Sequence, residues 1–576
     1  MTDAPIAERF IHSTYLRKLG PYGQDDAVVA KVHRHYQDGR VEPHLKIIRN
    51  PSRRFYTTLP GIRDTYTEKK EWEDLHNLEA HTCKNADMPR EIFRALNGFY
   101  PKAPPSLRKL AESPYLYGAD ISIESLIKAA HREKFDAAGV SPIPITTGVF
   151  DVESSMSSHN FGQLIMASIS HEEKIYTSVL RSNLFVVDAQ GNRKPGNIED
   201  VAAFARKRLD ASVVFPGKRA QRAIGKRVFQ LHFHLAETPL EMLQWLMGKM
   251  HENRTDFMCA WNLPFDMQRV LETCAKANYA PERLLCPPEL DRELRSARFV
   301  VDPGQKDAHY TRRWHWLYAP AYTQWYDAMC LYSILRVVDG FEASYELGDV
   351  LRENDVCDGK LTFDTEIPDA ADMSKADWHR YMQQNHPYEY VTYNVFDVMS
   401  VQVMEWINSD ASGMHVLIGN SALQNFNKQT RRAADSLHFK CLRKNKVVAA
   451  TGAKAEDGED IIVKHGGAVL PPERTWQSGL PVIIEAPTRD TCVHGHVSDI
   501  DLKAIYPNVD QAFNVSRETK LATMLRIEGF PDVEMRTYAS MIAAIYENAV
   551  PIGIQYYGLP GYDEAAALFL KQRQKA

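Results

Sequence analysis

Apolar and polar positions alternate in some stretches of the chain and recur every three to four residues in others. Strands and helices are therefore predicted to be interleaved. Ala27–Val32 and Leu45–Ile48 read as strands, and Ile121–Lys128 opens a helix after Gly118-Ala119-Asp120. Thr146–Glu153 reads as an apolar strand that ends in two acids. Phe161–Ile169 and Ile175–Leu180 alternate like antiparallel partners, and Phe185–Asp188 extends them before a Gly/Pro loop at 191–196. Thr238-Pro239-Leu240-Glu241 has the form of a capping box with Pro at the first helical position. The helix it predicts runs to Met250, with Leu243, Leu246 and Met247 on one stripe. Phe257–Trp261 reads as a buried strand. Trp325–Tyr332 leads into a helix, Ser344–Leu351 is another, and Tyr388–Ile407 is a long one. This alternation predicts a layered α/β arrangement with a mixed sheet inside a mixed α+β multidomain chain. The Pro-rich junction Ser141–Pro144 predicts a boundary near 145.

A length of 576 residues fits several domains. Net charge is −5, so any nucleic-acid surface has to be local. Eight cysteines without a C-x-x-C pair argue against a zinc site and for a reducing compartment. No secretory pattern opens the chain and no apolar run reaches spanning length, so a soluble, intracellular protein is expected.

The candidate chemistry starts at Asp151 and Glu153. Strand side chains alternate, so these two share a face while Phe150 and Val152 point the other way. Like charges side by side need a cation or a raised pKa, and all-oxygen ligands suit Mg²⁺ or Mn²⁺. Taken alone, the pair reads first as the solvated acidic face of an edge strand. Asp266 falls in the first turn of a helix that follows a strand, where a carboxylate is favourable as a simple cap. Tyr393 and Asp397 are four apart on one helix face; individually they read as a core tyrosine and a surface acid. Together the four acids and the phenol are the inventory of a two-metal phosphodiesterase.

Phe-Asp-Val-Glu at 150–153, Asn-x-x-Phe-Asp at 262–266 and Tyr-x-x-x-Asp at 393–397 resemble, in that order, the three exonuclease motifs of family B DNA polymerases. The resemblance is to the replicative polymerases of large tailed phages, and Tyr345-Glu346-Leu347 and Gly359–Asp364 resemble that group too. It implies an RNase H-like 3′→5′ exonuclease domain of the tyrosine DEDD type. By resemblance Asp151, Glu153, Asp266 and Asp397 bind two Mg²⁺ or Mn²⁺ ions, and Tyr393 orients the nucleophilic water. Asn262 and Phe265 position the 3′ end. The Asn-x-x-Phe-Asp spacing is one residue shorter than in many phage relatives.

Beyond about 411 the character changes. Lys428–Arg432 and Arg443–Lys446 are basic clusters, as are Lys218, Arg219, Arg222, Lys226 and Arg227 upstream. Each is a solvated face or a set of phosphate contacts. His465-Gly466-Gly467-Ala468 aligns with the family's Tyr-x-Gly-Gly/Ala element, with His in place of Tyr. Asp501-Leu502-Lys503-Ala504-Ile505-Tyr506-Pro507 resembles the first polymerase motif. The resemblance makes Asp501 a metal ligand for nucleotidyl transfer, helped by the Leu502 carbonyl, and Tyr506 the group that excludes a 2′-hydroxyl. Asp499 is a competing acid two residues earlier. Two-metal nucleotidyl transfer needs a second carboxylate. The family's Gly-Asp-Thr-Asp-Ser hairpin and its Lys-x-x-x-Asn-x-x-Tyr-Gly helix are both missing from 508–576.

The expected organisation is an N-terminal domain (1–145), the exonuclease (146–410), a connecting segment (411–480) and a partial palm (481–576). The expected function is the N-terminal subunit of a split family B DNA polymerase, of viral origin and acting inside the host cell. Its expected partners are primer-template DNA, dNTPs and a second polypeptide with fingers, remaining palm and thumb; a sliding clamp is a further candidate, and no membrane is expected. The competing expectations are a stand-alone 3′→5′ exonuclease with a vestigial palm and a non-catalytic replication scaffold.

Overall fold

The computed structural model describes residues 4–452, except 21–22, 66–68, 71, 188–189, 191, 302–308, 337–340 and 371–372, plus the strands Arg474–Gln477 and Leu480–Ile483. Those two strands pair antiparallel within a compact unit of their own, Ala455–Ala576; the preceding chain forms another. His465, Asp499, Asp501, Leu502 and Tyr506 lie outside the described residues. The architecture is mixed α/β.

Six strands make the central sheet: β1 (Thr147–Ser154), β2 (Leu164–His171), β3 (Lys174–Leu180), β4 (Gln230–Ala236), β5 (Phe257–Ala260) and β6 (Gln324–Asp327). Their order is β4-β3-β2-β1-β5-β6. β1, β2 and β3 run antiparallel in succession, β4 is parallel to β3, and β5 and β6 are parallel to β1. The alternation of β1 divides its side chains as expected. Phe150 and Val152 enter one apolar core with helices α1 (Pro239–Asn253) and α2 (Leu263–Lys276). Val149 enters the core on the other face, shared with α4 (Pro387–Asn408), which follows α3 (Lys375–Asn385). α1 starts where the capping box placed it: Thr238 Oγ1 accepts from the Glu241 N–H at 3.1 Å. The Glu241 carboxylate reaches back to the Glu237 N–H at 2.8 Å. The helix runs one turn further than its apolar stripe, to Arg254 in the left-handed conformation.

The sequence pattern misplaced two features. Phe185–Val187 does not extend the sheet; it pairs with Arg193–Pro195, inside the Gly/Pro stretch expected to be loop. β4 went unrecognised because its polar positions, His232 and His234, are rings that stack on Tyr176 and Trp245. Both rings pack on aromatic neighbours although His232 stays exposed, so the alternation is weaker than a clean polar face would make it.

β1 carries the candidate site, and Gly148 sets how closely it approaches β2. A Cβ there would stand 2.4 Å from the Ser170 carbonyl oxygen, a backbone atom that cannot rotate away. Gly148→Ala is expected to cost about 1–3 kcal/mol as overpacking, read as a lower urea midpoint.

Strands Ala7–Leu19, Asp25–His35 and Val41–Arg49 form an antiparallel N-terminal sheet covered by the helix Ile123–Ala138. It does not stand apart from the central sheet: Ile11 shares a core with Val149 and Phe257. A buried ionic cluster crosses the same joint. Asp256, just before β5, accepts from Lys31 Nζ at 2.5 Å, and His33 Nε2 lies 2.8 Å from the same oxygen. Its other oxygen accepts from the Thr146 N–H at 2.8 Å and hydroxyl at 3.0 Å.

The chain past 410 comes back to the N-terminal part. In the helix Gln429–Lys440, Arg431 pairs with Asp120 at 3.2 Å and buried Asp435 accepts from Ser125 Oγ at 3.2 Å. Val447–Ala449 then pairs with Trp72–Asp74. The described cysteines are all free thiols. Among the described residues no helix is long and apolar enough to cross a membrane.

Candidate active site

The four acids come from three elements. Asp151 and Glu153 sit on β1, Asp266 in the first turn of α2, and Asp397 midway along α4. One carboxylate oxygen from each of Asp151, Glu153 and Asp397 lies within 4.8 Å of the other two. Asp266 adjoins this trio. Its Oδ1 accepts from the Val152 N–H at 3.3 Å, between the two β1 acids. Asp266 and Asp397 are each 3% exposed, so Asp397 is no surface acid.

Burial and mutual repulsion dominate the electrostatics. Burial, then the charges of Asp266, Glu153 and Asp397, push the Asp151 carboxyl well above the usual range. Burial also raises Asp266, against the pull of the Val152 N–H, with Glu153 and Asp327 adding to the rise. Burial pushes Glu153 up to about 7, opposed by the hydrogen bond from Tyr390. Four acids so placed are not all ionised without added positive charge.

One cation is already present. Lys360 Nζ donates to Asp397 Oδ2, and to the Tyr393 hydroxyl at 2.8 Å. Burial opposes its charge, but Asp397, Asp151 and Glu153 outweigh that and raise the ammonium. Its side chain keeps 30% of its surface exposed. Burial and the neighbouring acids push the Tyr393 phenol well above its usual range and hold it protonated.

A second layer fixes the acids. Asn394 Nδ2 donates to Asp151 Oδ2 at 2.6 Å and is itself held by Ser168 on β2, again at 2.6 Å. The Tyr390 hydroxyl donates to Glu153 Oε2 at 2.5 Å. Gln383 of α3 donates to that hydroxyl at 3.1 Å and to the Ser154 carbonyl at 2.9 Å. Asp327, at the end of β6, accepts from the Leu263 N–H at 3.1 Å and the Cys330 N–H at 2.8 Å, tying down the start of α2. Burial pushes its carboxyl up to about 6.

The fit to a metal is tested by what remains unsatisfied. Asp397 Oδ1 is buried without a hydrogen-bond partner. Buried carboxylate oxygens rarely stay so, and this one is on a residue of the trio. The donor set is all oxygen, which suits Mg²⁺ or Mn²⁺.

The two expected DNA contacts lie at the rim. Phe265 is 44% exposed, with the Arg269 guanidinium 5.4 Å from its ring centre. Asn262 precedes α2, is exposed, and makes no side-chain cap.

Sequence reasoning missed Lys360, Tyr390, Asn394 and Asp327. Tyr390, Tyr393, Asn394 and Asp397 recur at helical spacing, so a polar stripe on an otherwise apolar α4 was available as a signal. Lys360 sits in irregular chain inside the Gly359–Asp364 stretch that the resemblance had singled out, but no periodicity there gave it a role. No protein-family model matches the chain, and no curated protein matches it.

Proposed function

We propose that the chain is the N-terminal subunit of a split family B DNA polymerase and that its carboxylate cluster is the 3′→5′ proofreading exonuclease. One observation carries the reading. From segments far apart in the chain, Asp151, Glu153 and Asp397 each bring a carboxylate oxygen within 4.8 Å of the others, Asp266 accepts from the Val152 N–H between the two strand acids, and Asp397 keeps one buried oxygen without a partner. The six-stranded mixed sheet with helices on both faces supports the RNase H-like domain that the motifs imply.

Those four carboxylates would hold the two divalent cations. Bound there, the cations would supply Lewis acidity for hydrolysis of a phosphodiester at neutral pH. The chain's own residues do the rest. Asn394 and Tyr390 keep the Asp151 and Glu153 oxygens aimed inward. Tyr393, protonated and steadied by Lys360, can donate to a water beside the cluster. Phe265 offers an open ring face on which an unpaired base can stack.

The test is digestion of a 5′-labelled primer with a mismatched 3′ end. The purified chain is expected to shorten it one nucleotide at a time in Mg²⁺ and to stop when EDTA is added. No shortening in Mg²⁺ or Mn²⁺ overturns the exonuclease reading and favours the scaffold. Addition of the partner polypeptide and dNTPs is expected to give extension that Asp501→Ala removes while digestion persists. Digestion with no extension under any partner leaves the stand-alone exonuclease. That second reading has its own support, since all four acids lie in one compact unit.

A further inference from the structure

A cavity of about 790 Å³ opens between the strand Ser52–Thr58, the helix Ile123–Ala138 and the returning segment 439–446, and shares no lining residue with the carboxylate cluster. Its wall is basic, with six Lys and Arg side chains against two acidic ones. One of the six, Arg132, faces Asp136 at 3.9 Å. Arg54, Lys440, Arg443, Lys444 and Lys446 form no ion pair among the described residues, and all five are exposed. The chain as a whole is negative, so this concentration is local. Like charges gathered without partners repel each other and attract a polyanion.

The backbone holds them there on purpose-built geometry. Cys441–Asn445 is a single π-helical turn that follows the helix Gln429–Lys440 and ends at Lys446 in the left-handed conformation, φ 55°. Arg443 and Lys444 of this wide turn line the cavity together with Arg54, some four hundred positions earlier in the chain. Half-buried Phe439 adds an aromatic face to the lining. Cations along a groove with an aromatic platform are the elements of single-strand recognition. The volume suits one or two nucleotides; the convex cylinder of a duplex would meet only the rim.

We propose that this cavity is a second DNA-binding site, one that grips the sugar-phosphate backbone of single-stranded DNA away from the carboxylates. It rests on the proposed function only for the choice of DNA among polyanions.

The experiment uses the full chain, fluorescein-labelled dT12 and a 12-base-pair duplex, in EDTA so that nothing is cut, across a salt series. Arg54→Ala/Arg443→Ala/Lys444→Ala is expected to weaken dT12 binding roughly tenfold or more at low salt. At about 0.7 counterions per phosphate contact, it should also flatten the log–log salt slope by about 2. The charge-conserving Arg54→Lys/Arg443→Lys/Lys444→Arg is expected to retain both, which separates charge from misfolding. Hydrolysis of thymidine 5′-monophosphate p-nitrophenyl ester in Mg²⁺, which needs no long DNA, is expected to be equal in all three proteins. An unchanged slope in the Ala variant, or a loss shared by the charge-conserving one, overturns the proposal. So does a variant effect as large on the duplex as on dT12. If the unaltered chain fails to hydrolyse the ester yet shows the slope change, the exonuclease reading falls and this site stands.

Discussion

If the carboxylate cluster is the proposed nuclease site, Asp397→Asn is expected to lower 3′→5′ digestion in Mg²⁺ by about 10³-fold. Metal charge stabilisation is worth several kcal/mol at the transition state, and each 1.4 kcal/mol or so is a factor of ten in rate. Asp397 supplies a carboxylate oxygen to the trio within 4.8 Å and also holds Lys360. The amide keeps the size and one acceptor, but loses the charge that draws the cation. The variant should fold. Without metal its urea midpoint is expected near that of the parent, because removing one of several crowded acids relieves repulsion. The diagnostic contrast is ligand-linked stability. A cation that binds only the folded state raises the parent's melting temperature as its concentration rises, and the variant's melting temperature should respond far less. An equal Mg²⁺ response in both proteins would show that the carboxylates are not the metal's ligands, whatever the activity did.

Asp256→Asn is expected to destabilise the chain by about 3–5 kcal/mol, the cost of breaking a buried ion pair from one side. Lys31 is fully buried and His33 nearly so, and both face the same oxygen. The amide leaves Lys31 charged with no anionic partner, its neutral acceptors including the Arg254 carbonyl. Lys31→Met combined with Asp256→Asn should recover part of the loss, since the penalty belongs to the unpaired charge. The pH dependence follows from the carboxylate. Burial alone would raise Asp256, but Lys31 and His33 together hold it far below the usual range. Its stabilisation is therefore complete above the unfolded value near 4 and is lost as pH falls through the lower folded value. Lys31 points the other way, since burial lowers its ammonium more than Asp256 raises it. That opposition acts in the alkaline range and leaves the acid window to Asp256, which has four donors on it. Below pH 4 the parent's unfolding midpoint should fall more steeply with pH than the variant's. Parallel curves would remove Asp256 from the account.

The reach of sequence reasoning here follows the range of each interaction. β1 was legible because a period of two and two terminal acids both lie within eight residues. α1 was legible because Thr238, Pro239 and Glu241 are a local capping device. Asp266 was placed at the start of a helix and Asp397 on a face with Tyr393, and both positions are as expected. What sequence could not give was convergence. Nothing near Asp256 announces Lys31, more than two hundred residues earlier. Lys360 lies in chain with no period, so its role exists only once α4 packs beside it. Asn394 was hidden for a different reason: its neighbours Tyr393 and Asp397 already filled the stripe with familiar chemistry. The boundary expected near 145 rested on Pro142 and Pro144. Those prolines do leave the backbone irregular, but the core runs across them through Ile11 and Val149.

The way the 447–449 strand zips onto Trp72–Asp74 bears on anyone cutting this gene into pieces. A fragment stopping at 410 would keep every nuclease acid. It would also strip the lid from Ser125, leave Asp120 without Arg431, and open a sheet edge at Trp72 to the nearest sticky neighbour. Clean expression is expected only when the stop codon is moved past Ala450, which makes a separate bridge to Tyr117.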